Sequence, residues 1–172
     1  MSVTIRAGTP ADLDTMVAID DDASRLFVEA GLDVEFPAGH PFIANERARW
    51  RRSLELGHAF VAIDDEAGPV GFAALEIVDG APYVEQLSVR RAAMRRGTGR
   101  RLLAQAISWA RARGESLWLT TYGHLPWNRP FYEREGFVVV PSADWGAEVA
   151  ARVAEERSLP APDQRVVMRR AL

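Results

Sequence analysis

The segment Leu87-Ser88-Val89-Arg90-Arg91-Ala92-Ala93-Met94-Arg95-Arg96-Gly97-Thr98-Gly99-Arg100-Arg101-Leu102-Leu103 carries the densest chemical signal in the chain. A strand-like run passes through arginines and two spaced glycines into a helix-forming stretch. Gly97 and Gly99 let the backbone turn tightly and approach a ligand closely. The unpaired amides at the start of the following helix, at the positive end of its dipole, form a site for an anionic phosphate. Nearby arginines add charge-assisted hydrogen bonds. A plain turn leading into a solvated, arginine-rich helix start accounts for the same residues without a ligand. The loop lacks the Gly-Lys-Ser/Thr ending of a P-loop. A dinucleotide fold would place its glycine fingerprint after an early strand, with an acidic partner further on. Neither pattern fits.

A second constellation is Pro126-Trp127-Asn128-Arg129-Pro130-Phe131-Tyr132-Glu133-Arg134-Glu135-Gly136-Phe137. Gly136 ends a short helix and Phe137 begins the next strand. Core packing explains Trp127, Phe131 and Phe137.

Together the two segments, in this order and about 30 residues apart, resemble the GNAT superfamily of acyl-CoA N-acyltransferases. Met94-Arg95-Arg96-Gly97-Thr98-Gly99 is similar to that family's Gln/Arg-x-x-Gly-x-Gly/Ala loop, with Met94 departing from the usual Gln or Arg. Phe131-Tyr132 with Gly136-Phe137 is similar to its Phe-Tyr-x-x-x-Gly-Phe motif. A narrower bacterial group looks nearest, through Pro126-Trp127-Asn128-x-Pro130-Phe131-Tyr132 and the closing Arg165-Val166-x-Met168. The resemblance implies an α/β fold, a mixed sheet of six to seven strands flanked by four to five helices. It implies acetyl-CoA as cosubstrate, its pyrophosphate held at Arg95, Arg96, Gly97, Thr98, Gly99 and Arg100, with further contacts at Leu87, Ser88, Val89 and Asn128. A backbone amide near Leu87 or Val89 would polarise the acetyl carbonyl. Tyr132 would be the general acid for the departing thiolate. A phenol with pKa about 10 is protonated at neutral pH and can protonate a thiolate whose conjugate acid lies near 8.5.

Amine acetylation also needs a group to take the acceptor's proton. Tyr83, Glu85, Leu87 and Val89 alternate along one strand and are expected to share a face. If that strand borders the cleft, Glu85 accepts the proton directly or through a water; the plainer reading is a charged residue at a strand edge. Glu76 and His124 are reserve candidates. Acceptor contacts are expected from the first two helices around Arg25, Phe27 and Trp50 and from 145–157, although Arg25 and Phe27 equally suit surface and core.

The elements that must position these groups follow from pattern. Val3–Ala7 reads as a strand, and Thr9-Pro10-Ala11-Asp12 as a helix start. Residues 29–42, rich in Gly and Pro, read as loop, and 43–56 as a helix closed by Gly57. Strands are expected at 59–64, 70–78 and 83–89, joined by turn residues into an antiparallel meander. A helix at 99–113 before a strand at 117–121 predicts a parallel crossover. A short helix at 130–135, a strand at 137–140, an amphipathic segment at 145–157 and a strand at 166–169 complete the chain.

Composition narrows the chemistry. With 172 residues, 48% hydrophobic and 26% charged, the chain suits one domain over 1–172. The absence of cysteine excludes disulfides, thiolate metal sites and a cysteinyl intermediate. His40, His58 and His124 form no ligand pair, so no metal is expected. All 21 basic residues are arginine, which excludes self-acetylation on lysine. Net charge of −3 argues against a nucleic-acid partner, although six arginines between 90 and 101 call for a local explanation. No membrane-spanning run or leader pattern is expected, pointing to a cytoplasmic protein acting on a small-molecule or peptide amine, with a homodimer as an option. The competing reading is a domain that keeps acyl-CoA as a regulatory ligand; Tyr132 speaks against it.

Overall fold

The computed structural model describes residues 2–172. The elements are β1 (Val3–Ala7), α1 (Leu13–Glu29), α2 (Pro41–Glu55), β2 (Ala59–Asp64), β3 (Gly68–Val78), β4 (Ala81–Val89), α3 (Thr98–Arg111), β5 (Ser116–Tyr122), α4 (Arg129–Arg134), β6 (Val138–Val139), α5 (Ala147–Glu155) and β7 (Arg165–Ala171). Seven strands form one mixed sheet in the order β1-β2-β3-β4-β5-β7-β6. All neighbours are antiparallel except β4 and β5. The expected meander is β2-β3-β4, and the expected crossover is β4-α3-β5. The strand expected over 137–140 contracts to two residues at the sheet edge. Phe137 turns into the core at 2% exposure, while Val140 N still bonds Val167 O at 2.9 Å.

Two irregularities of β4 position the site. First, Ala74 lies opposite Gln86 but Leu75 opposite Val84, so Glu85 is the extra residue of a β-bulge. A bulge resets the side-chain alternation. Tyr83 and Glu85 face α2 and α5, as expected. Beyond the bulge, however, Gln86 and Ser88 continue that face towards α1. Leu87 and Val89 turn to the α3 face, where they pack with Leu102. The expectation that all four odd-numbered residues share one face is corrected. Second, β4 and β5 are paired at Tyr83 and Trp118 alone. Beyond that point the parallel strands separate.

Helices cover both faces. Met16 and Ile19 of α1 and Trp50 and Leu54 of α2 pack on Phe72 and Ala74 of β3. Leu103, Ala106, Ile107 and Ala110 of α3 pack on the opposite face with Leu117, Leu119 and Met168. Trp50, expected to touch an acceptor, is instead 1% exposed and edge-on to Phe72 with ring centroids 5.1 Å apart. Truncating such a residue to Ala costs roughly 3–5 kcal/mol, so its task is to seat α2.

The entry to α1 is a single 3₁₀ turn, Pro10–Asp12. Asp12 accepts hydrogen bonds from Thr9 N at 2.8 Å and from Arg6 at 2.7 and 2.8 Å, tying β1 to the turn. The Arg6 hydrogen bonds hold its carboxyl down at about 2. A carboxyl depressed in the folded state contributes stability that is present above its unfolded pKa and lost as pH falls through its folded one. Asp12→Asn should therefore lower the melting temperature most above pH 4, with the gap to the wild type closing towards pH 2. Thermal melts across that range check this, and a constant gap would contradict it.

Candidate active site

The loop between β4 and α3 is shaped for an anion. Arg95 and Gly97 both take left-handed backbone, at φ +60° and +82°. Only glycine does so without steric cost, so Gly97 is the conformational requirement and directly caps α3. Gly99 lies within α3, and a Cβ there would find ordinary contacts at 3.8 Å to Leu87, Val89 and Phe131. Its expected role in the tight turn is therefore corrected; it marks where the start of α3 meets the end of β4 and the first turn of α4. Arg101 N makes the first bond of the helix, to Gly97 O at 3.0 Å. The amides of Thr98, Gly99 and Arg100 precede it and are open to a ligand. Thr98 Oγ is buried with no hydrogen-bond partner among the described residues, a polar group that a phosphate oxygen would satisfy.

The arginine cluster divides by task. Arg90 Nε donates to Pro69 O at 3.0 Å, and Arg91 pairs with Asp22 and Glu29. Arg100 pairs with Glu135 at 3.1 Å. Arg95 and Arg96 are exposed at the loop.

A cleft of about 740 Å³ opens where β4 leaves β5, walled by α1, α2, α5 and the loop after α1. Glu85 lies in it at 6% side-chain exposure. Its Oε1 accepts from Arg49 Nε at 2.5 Å and its Oε2 from Arg152 at 2.8 Å. Arg49 also pairs with Glu155 at 2.9 Å, and Arg152 with Glu76. Burial pushes the Glu85 carboxyl up to about 7, outweighing the two guanidiniums that favour its charged form. Glu76, a reserve candidate, is thus occupied in this network behind the cleft. His124 is exposed beyond the cleft, edge-on to Tyr122.

The position of α5 depends on Asp79, in the β3–β4 turn. Its carboxylate accepts from Glu148 N at 2.9 Å and Val149 N at 2.8 Å. A Cβ on Gly146 would collide with that carboxylate, so a larger residue there would have to displace the Asp79 side chain. At the far wall, Thr120 donates to Glu156 at 2.5 Å and accepts from Arg165 at 3.1 Å. Arg165 stacks 4.6 Å over Tyr122.

Tyr132 and Asn128 line the same cleft. Asn128 O accepts from the amides of Phe131 and Tyr132, starting α4. Tyr132 is edge-on to Phe131 and Phe137, at 5.0 and 5.6 Å between centroids. Burial pushes its phenol up to about 12, with Arg165 pulling modestly the other way. Arg25 and Phe27 line the cleft. Ser88 does not; its Oγ donates to Asp20 at 2.6 Å. Sequence reasoning missed Asp20, Glu46, Arg49 and Arg152, which share no motif; their only signal was charge on otherwise amphipathic segments, while Arg165 was read only as part of the closing Arg165-Val166-x-Met168 and not as a residue of the site. Among the described residues no group of three or more His, Asp or Glu is placed to hold a metal ion. None of their helices is long and apolar enough to cross a membrane.

Residues 18–137, spanning both motifs, match the acetyltransferase (GNAT) family. The chain belongs to that family. A GNAT acetyltransferase from Staphylococcus aureus Mu50 is similar in structure, with a TM-score of 0.73 at 15% identity over 99% of both chains. The PaiA N-acetyltransferase of Thermoplasma acidophilum, solved with coenzyme A, gives 0.66 at 19% identity over 100% of both chains. The N-acetylglutamate synthase of Neisseria gonorrhoeae, solved with coenzyme A and N-acetyl-glutamate, gives 0.66 at 19% identity. That match takes in 100% of this chain but spans only 35% of the synthase. At these identities the likeness is one of fold.

For a GNAT loop of this shape, Gly97→Val should abolish acetyl-CoA binding, measured by calorimetry, while far-ultraviolet circular dichroism stays native. Retained binding would place the phosphate elsewhere. Gly99→Ala fits sterically, so any affinity it loses reports contact with the ligand itself.

Proposed function

We propose that the chain, acting as one domain over residues 1–172, transfers the acetyl group of acetyl-CoA directly to a primary amine. The observation that carries this is one cleft joining three things: the separated edge of β4, Tyr132 and Glu85. Acetyl-CoA supplies an activated thioester. The open amides of Thr98, Gly99 and Arg100, with Thr98 Oγ, Arg95 and Arg96, suit its pyrophosphate. The unpaired edge of β4 about Leu87 to Val89 leaves backbone amide to polarise the acetyl carbonyl. Asn128, at the start of α4, lies where it can meet the pantetheine arm.

In the transfer, the amine nitrogen bonds to the acetyl carbon and the C–S bond breaks. The proton lost by nitrogen goes to Glu85, whose carboxyl near 7 suits proton uptake at neutral pH. The Tyr132 phenol gives its proton to the departing sulfur. Burial keeps that phenol protonated, and the same desolvation raises the basicity of a thiolate beside it, which keeps donor and acceptor matched. With no cysteine in the chain, no cysteinyl intermediate intervenes, and holding both reactants in line supplies much of the rate.

Thiol release with acetyl-CoA and an amine panel tests this. Tyr132→Phe should lower kcat by roughly 10- to 1,000-fold with acetyl-CoA affinity little changed. Unchanged turnover would remove Tyr132 from the chemistry. Since Glu85 acts as the anion, kcat/KM, which reports the free enzyme's ionisations, should fall as pH drops through about 7. That acid limb should vanish in Glu85→Gln together with most of the activity; an unaltered profile would exclude Glu85 as the base.

A further inference from the structure

The charges lining the cleft do not cancel. Arg49, Arg152 and Arg165 are matched by Glu85, Glu155 and Glu156. Of the other charged residues lining it, Asp20, Asp21, Glu35 and Glu46 outnumber Arg25 and Arg47, and Asp20 and Glu46 lie on neighbouring helices. Asp20 of α1 accepts both its hydrogen bonds, from Ser88 and Gln86, on Oδ1, leaving Oδ2 open to the cleft it lines. Glu46 of α2 lines the same space, is half-buried, and makes no hydrogen bond or ion pair with the described residues. Burial, then the charges of Asp20 and Glu85, push its carboxyl well above the usual range; Arg49 and the exposed Arg47 offset only part of this. A carboxylate crowded by two others and without a hydrogen-bond partner of its own is costly to ionise, and a cation in the cleft would supply the missing partner. A carboxylate-bearing acceptor, by contrast, would meet that excess of like charge, the cleft's two remaining arginines, Arg25 and Arg47, both being exposed.

We propose that the acceptor is a small aliphatic amine with a second cationic group, a diamine or polyamine, whose second ammonium is held by Glu46 and Asp20 while the reacting nitrogen lies at Glu85 and Tyr132. This rests on the acetyl-transfer reading above, which amine-dependent thiol release tests separately. The bulged register of β4 serves both ends: Glu85 faces the reacting nitrogen, and Gln86 and Ser88 orient Asp20 for the other.

The experiment is calorimetric titration of the CoA-saturated protein with 1,4-diaminobutane and with n-butylamine, followed by kcat/KM for both amines, for glutamate and for a lysine-containing peptide. The diamine should bind about 10- to 100-fold tighter than butylamine, as expected for one charge-assisted contact, and be preferred to the peptide and to glutamate. Glu46→Gln should erase the diamine's advantage, chiefly through KM, and Glu46→Asp should restore part of it. Equal binding of the two amines, a diamine advantage that survives Glu46→Gln, or preference for glutamate or the peptide would overturn the proposal. If thiol is released from acetyl-CoA with another amine while the diamine shows no advantage, the transfer reading stands and this inference alone falls.

Discussion

Parallel strands normally continue their ladder once begun, and here they do not. β4 and β5 meet at Tyr83 and Trp118 and then part, leaving strand edge without a partner in the middle of a sheet. Unpaired backbone is costly to bury, so the opening persists because it faces a cleft. The crossover through α3 sets its dimensions: the helix starts beside the end of β4 and returns the chain to β5. The strand edge at Leu87 and Tyr132 line the cleft at that separation, and the start of α3 adjoins them at Gly99, beside Leu87, Val89 and Phe131.

Glu85 is the electrostatic counterpart. As the extra residue of a bulge it is aimed at the cleft, and its two oxygens receive one arginine from α2 and one from α5. Those helices lie about a hundred residues apart in sequence and meet again through Glu155 with Arg49 and Asn45. Neither arginine could be lost without leaving a buried carboxylate under-compensated, so the network fixes the cleft wall as well as the carboxyl itself. Asp79 capping α5 from the β3–β4 turn fixes the other end of that helix.

The parts visible in the sequence are those that obey local rules. Strand-like runs bounded by turn residues marked β2 and β3, Gly57 and Gly136 marked helix ends, and the strand-glycine-helix run marked the anion loop. The face of Leu87 and Val89 was misread because a bulge leaves no mark on a period of two; the shift shows only in the partner strand's register. Trp50 looked like a contact residue because a large aromatic on an arginine-rich helix has no visible inside until Phe72 is placed against it. Asp20, Arg49 and Arg152 were illegible for a related reason. Each is an ordinary charge on an ordinary helix, and its meaning lies in Ser88 or Glu85, more than thirty residues away.

The central claim is that acetyl-CoA enters where β4 leaves β5 and rests its pyrophosphate on the start of α3. Amide chemical-shift mapping during an acetyl-CoA titration tests it most directly. The account predicts saturable shifts concentrated at Leu87 to Val89, at Arg95 to Arg100 and around Tyr132. Shifts confined to other surfaces, such as the arginines at 47–52, or no saturable response at all, would contradict it.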